Sequence, residues 1–96
     1  MRKLTHPTIH DNGTPARHLA DAYSNAADAV NKAVQVMAKS APNGRDYYTQ
    51  DEGAYEQAVR EHDERRQKLC EVFAELQALM DHCLHPNWEG PRQYRR

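Results

Sequence analysis

From Leu19 to Met37, apolar side chains recur at alternating intervals of four and three: Leu19, Tyr23, Ala26, Val30, Ala33 and Met37. This is the heptad-type spacing of a helix that turns one face toward another helix. A second stripe, Ala20, Ala27, Val34 and Ala38, runs beside the first. Together they make a broad apolar surface, most of it alanine. Alanine lets helices approach closely, but each one removes little area from water, and burial contributes only about 25 cal/mol per Å². The pattern therefore suits a helix packed against two neighbours.

The ends of this helix are signalled locally. Thr14-Pro15 has the form of an N-cap followed by proline at the first helical position. Pro42 and the turn pair Asn43-Gly44 end it after Ser40-Ala41. Thr49-Gln50-Asp51-Glu52 then has the form of a capping box, with Asp51 as a rival cap. Beyond it an inward stripe reads Tyr55, Val59, His62, Arg66, Leu69, Phe73, Leu76, Met80 and Cys83, with Val72 and Leu79 beside it. The sequence thus predicts an all-α single domain over 1–96. It is an antiparallel two-helix hairpin with helices at about 15–40 and 52–83, an extended arm at 1–13 and an irregular tail at 84–96. Trp88 is expected to fold back onto the hairpin.

Such a hairpin is lean. Only 39% of the 96 residues are apolar, and a chain of this size buries only about two-thirds of its unfolded surface. Small scaffolds usually need disulfides, metal or self-association. The two cysteines, Cys70 and Cys83, lie thirteen residues apart on one helix, roughly 20 Å along its axis and beyond disulfide reach. His6, His10, His18, His62, His82 and His85 show no paired zinc spacing, and neither cysteine is part of a C-x-x-C. Neither a metal nor any other cofactor is expected. Self-association remains, and a homo-oligomer, dimer or higher, is the expected state.

Several classes are disfavoured. The formal net charge is −1, with both signs interspersed, which does not fit a duplex-DNA binder. The short basic tail with Arg92, Arg95 and Arg96 reads as a solvated segment. No apolar run reaches bilayer length and the N-terminus lacks a secretory pattern, so no membrane partner is expected. Lone thiols point to a reducing compartment. No nucleophile elbow, P-loop or paired-carboxylate motif appears, so the chain is not expected to be an enzyme.

The chemistry is concentrated in the loop Asn43-Gly44-Arg45-Asp46-Tyr47-Tyr48-Thr49-Gln50. One reading is structural: Asn-Gly takes a left-handed turn, Arg45 and Asp46 pair in solvent, and a tyrosine plugs the hairpin end. The other is ligand capture. Tyr47 or Tyr48 stacks on a base, Arg45 and Arg66 grip phosphate, amides around Gly44 form an anion nest, and Asn43, Asp46 and Gln50 read base or ribose edges. His62 and Arg66 stand where a packed hairpin would place leucine. They read either as a polar layer fixing register or as phosphate ligands; an inward arginine needs an anionic partner in either case. His10, Asn12 and Thr14, in the arm, read as a turn and cap or as a secondary anion contact. The first helix, about 26 residues and roughly 39 Å long, separates arm from loop. They meet only across an antiparallel dimer.

The motifs Ile9-His10-x-Asn12-Gly13-Thr14, Ala41-Pro42-Asn43-Gly44-Arg45-Asp46-Tyr47-Tyr48-x-Gln50 and Glu61-His62-x-x-Arg65 resemble a family of small uncharacterised proteins of tailed bacteriophages and prophages. The resemblance covers roughly residues 9–82. Members often carry proline where Thr49 stands here, and serine in place of Pro15. The resemblance implies a phage source, action in the host bacterial cytoplasm and, for a protein of this size, antagonism of host defence. The leading expectation is an anti-defence accessory protein that sequesters a nucleotide-type immune signal, such as a cyclic oligonucleotide, without catalysis. The alternatives are an antagonist or adaptor acting on a host or phage protein, and a structural role in virion assembly.

Overall fold

Pro15 lacks a backbone N–H and holds φ at −56°, which suits the residue ahead of a first helical turn. Its carbonyl accepts from Leu19 N at 3.1 Å. In the computed structural model, which describes residues 3–85, helix α1 follows as Ala16–Met37 and helix α2 as Ala54–Leu84. Among the described residues there is no strand. The all-helical hairpin read from the sequence is therefore present. Thr14 is not the cap: that place falls to Pro15, and no side chain caps the helix. At the other end Ser40 Oγ donates to the Met37 carbonyl at 2.7 Å, within a 3-10 turn at Ala38–Ser40 that closes the helix.

The capping box is not formed either. Helix α2 begins on Gly53, whose φ of 94° lies in the left-handed region, with no side-chain cap. Ala54 N donates to the Asp51 carbonyl at 3.0 Å and Gln57 N to the Gly53 carbonyl at 3.0 Å. A sharp left-handed entry thus replaces the side-chain cap that Thr49 or Asp51 would have supplied. Gly53 is the only described residue at positive φ, so the Asn43-Gly44 pair does not take the left-handed turn expected of it.

The helices meet along a seam drawn from both α1 stripes. Ala20 and Ala27 are buried, and Tyr23, Val30, Val34 and Met37 are half-buried beside them. Ala26 and Ala33, expected inside, are exposed. The contact line runs between the two stripes, so each loses its outer members. On α2 the lower stripe Leu69, Phe73, Leu76 and Met80 is half-buried and Cys83 is buried to 1%. Burial also raises the Cys83 thiol pKa.

The upper half of α2 departs from the expected stripe for a geometric reason. A straight helix has 3.6 residues per turn and drifts about 20° per heptad from a strict seven-residue repeat. From Cys83 the contact line keeps a seven-residue interval through Leu76 and Leu69 to His62, and the accumulated drift then carries it by steps of four to Ala58 and Ala54, which are half-buried. Tyr55 and Val59 are left 39% and 40% exposed, and Arg66 faces solvent.

The arm packs on the C-terminal half of α2. His82 Nε2 lies 2.8 Å from the Pro7 carbonyl and donates to it, and the His6 and His82 rings sit 4.6 Å apart. Further up, Lys3, Leu4 and Thr5 line a groove with Glu75 and Leu79. A turn closed by Gly13 N on the His10 carbonyl at 3.1 Å then leads into α1. Leu84, expected in the tail, belongs to α2; the rest of the expected tail beyond His85, Trp88 included, lies outside the described residues. Among those residues only Ala20, Ala27 and Cys83 are buried apolar groups. No described helix is long and apolar enough to cross a membrane.

The two turn glycines should respond oppositely to substitution. Gly53→Ala forces a side chain into the left-handed region and should cost roughly 1–2 kcal/mol. Gly44→Ala meets nothing within 4 Å and should leave stability within about 0.5 kcal/mol of the parent. Urea unfolding followed by circular dichroism at one protein concentration measures both.

Candidate functional site

The loop between the helices is a chain of tight turns. Asn43 Oδ1 accepts from Arg45 N at 2.9 Å, which opens a 3-10 turn at Gly44–Asp46. Asp46 N donates to the Asn43 carbonyl at 2.9 Å, Tyr47 N to Gly44 at 3.0 Å and Gln50 N to Tyr47 at 3.0 Å. These bonds answer the anion-nest expectation. The amides of Arg45, Asp46 and Tyr47 are engaged inside the loop and do not converge on an open point.

The turns place the two tyrosines differently. Tyr47 is half-buried and packs on Tyr55 with ring centroids 6.3 Å apart and planes tilted by 47°, within the range where aromatic pairs attract. Tyr48 is 81% exposed. Between them lies an open depression of about 280 Å³, lined by Gly44, Tyr47, Tyr48 and Gln50 from the loop, and by Asp51, Glu52, Gly53, Tyr55 and Glu56 around the start of α2. Four of the candidate residues are thus brought together, and Tyr55, Asp51, Glu52 and Glu56 join them unforeseen. Tyr55 was assigned to the helix seam. Its place in the first turn of α2, where the tyrosine loop ends, was the signal that could have found it.

The lining carries three carboxylates and no cation. Carboxylates accept hydrogen bonds from base amino and imino groups and from ribose hydroxyls, but they repel phosphate. Asn43, Arg45 and Asp46 are exposed beside the depression and are not part of its wall. The depression itself therefore disfavours a phosphate.

Two groups of expected ligands lie elsewhere. His62 and Arg66 stand eight and twelve residues beyond Ala54, about 12 and 18 Å along α2, and neither lines the depression. Arg66 is also not an inward charge. Its Nε and Nη2 donate to Asp63 Oδ1 at 3.2 and 2.9 Å, and Nη1 points to Cys70 Sγ at 3.8 Å. The Asp63 bond and charge raise the guanidinium pKa further above its ordinary value. His62 is half-buried on the seam. His10, Asn12 and Thr14 are exposed on the arm, at the far end of the 22-residue α1 and so about 33 Å away. The His10 ring lies over Gly13, where an added Cβ would stand 2.9 Å from Nε2. Among the described residues no three His, Cys, Asp or Glu side chains are grouped to hold a metal ion.

The tyrosines can be separated experimentally. Tyr47→Ala removes a half-buried ring from its partner and should destabilise the fold by about 1–2 kcal/mol. Tyr48→Ala should leave the melting temperature within a degree or so. Thermal unfolding of both variants checks this; equal losses would mean that the exposed ring also packs.

Comparison with protein-family models, curated proteins and solved structures gave no match, so function is argued from the residues of this chain.

Proposed function

We propose that this is a non-catalytic capture protein of phage origin, which self-associates in the host cytoplasm and sequesters a nucleotide-type immune signal such as a cyclic oligonucleotide. The observation that carries the reading is Tyr48, 81% exposed at the edge of a depression walled by the Tyr47–Tyr55 pair. A large ring held in solvent by a loop of successive turns is ready to stack on a base, an interaction worth about 1–3 kcal/mol.

The remaining groups fit a divided ligand. Ligand pockets usually start near 300 Å³, so a depression of about 280 Å³ takes one base and its sugar and no more. Gln50 and the carboxylates meet base N–H groups or ribose hydroxyls, while Arg45 stands outside for a phosphate. A cyclic oligonucleotide presents further bases and phosphates, and these fall to a second copy of the chain. Association is independently favoured by the small number of buried side chains among the described residues.

A second reading has its own support. Exposed tyrosine and arginine dominate protein hot spots, and the acidic wall of the depression suits a basic patch on a host protein. In that case the same loop docks on a macromolecule.

A thermal-shift panel of cyclic dinucleotides, cyclic trinucleotides and ADP-ribose derivatives separates the two. Capture predicts a higher melting temperature with at least one compound at high micromolar concentration. Tyr48→Ala should weaken that binding by roughly 5–150-fold without moving the ligand-free midpoint. Stabilisation by none of them would overturn the capture reading in favour of the protein partner.

A further inference from the structure

We propose that the exposed flank of α1 is the face on which a second copy docks, the two α1 helices lying antiparallel about a two-fold axis near residues 29–30. The inference rests on the self-association proposed above and assigns its surface. Helix α1 presents α2 with Ala20, Ala27 and their neighbours, yet its apolar girth continues past them. Ala22, Ala26, Ala29 and Ala33 are exposed, and Val36 is 50% exposed. Their spacing of four and three is that of a helix-packing seam, and nothing among the described residues covers it.

Charge decides the occupant and its direction. The polar edge of this flank, away from α2, carries Asp21 and Asp28 before the midpoint and Lys32 and Lys39 after it. Reversing a second copy about residues 29–30 sets Asp21 against Lys39 and Asp28 against Lys32, each pair occurring twice. A parallel pair would instead set this edge against the opposite edge of the partner's flank, on the side of Tyr23 and Val30 that turns toward α2, and would lose these pairings. The same reversal brings Ala22 opposite Val36, Ala26 opposite Ala33 and Ala29 opposite itself. The surface is therefore self-complementary, as an isologous interface must be.

The geometry has a consequence for the site. Reversal about residues 29–30 carries the arm turn of one copy, with His10, Asn12 and Thr14, alongside the tyrosine loop of the other. Each depression then gains residues from the second copy. Groups about 33 Å apart in one chain become neighbours across the pair.

The test uses the full chain with the exposed thiol removed by Cys70→Ser. Ala29→Cys sits at the two-fold and should bring its thiols within disulfide range, Cα atoms about 7 Å apart or less. Mild oxidation should cross-link it at least tenfold more than Asn31→Cys, which lies on the opposite side of α1. A chain carrying Asp21→Lys and Asp28→Lys, and another carrying Lys32→Asp and Lys39→Asp, should each associate roughly tenfold more weakly alone, from four modest pairs. Mixed, the two should recover. If light scattering finds an oligomer but Ala29→Cys and Asn31→Cys cross-link alike, or mixing restores nothing, the face is wrong and self-association stands. A monomer at every concentration overturns both.

Discussion

Ala20 and Ala27 set the distance between the two helices, and most of the molecule follows from that spacing. Two turns apart on α1 and only 3% and 4% exposed, they let the helices approach until larger neighbours interlock. A leucine at either place would force the helices apart, and overpacking of that kind costs about 1–3 kcal/mol. Close approach has a counterpart in area. The larger seam residues Tyr23, Val30, Leu69 and Phe73 stay half-buried, because a two-helix layer has only one inner face. The arm adds a third element along the C-terminal half of α2 through the Pro7–His82 bond. It does not reach the alanine flank of α1, which is exposed.

The same geometry fixes the loop. Helices held this near leave little room at the hairpin end, and the chain crosses it in short turns from Asn43 to Gln50. Gly53 then redirects the backbone into α2. The entry angle sets Tyr55 beside Tyr47 and leaves Tyr48 outside the packed pair. The surface around Tyr48 is thus a product of helix spacing and of one left-handed glycine. Its acidic wall, with Asp51, Glu52 and Glu56 and no cation, disfavours an anionic group inside the depression.

Helix periodicity and helix-breaking residues were legible in the sequence, so both helices stand within two residues of the expected bounds at three of their four ends. The caps were not, because Thr14 and Thr49 match their motifs in composition while Pro15 and Gly53 take the positions. The choice between adjacent stripes on α1 was also hidden: Ala26 and Ala27 are the same side chain, and only the direction of the partner helix distinguishes them. Arg66 was misplaced because a strict heptad was carried up a straight helix without its drift. In the site, the tyrosine loop was visible as a dense run of chemical groups. The contribution of Tyr55 and Glu56 was not, since it depends on how α2 enters.

A hairpin this thin, if it folds through association, must couple its stability to its concentration, because dilution favours the separated and unfolded chains. Thermal unfolding followed by circular dichroism from about 1 to about 100 μM tests this directly. The midpoint should rise by several degrees across that range. A midpoint that does not move, in a sample of monomeric mass, would contradict the account.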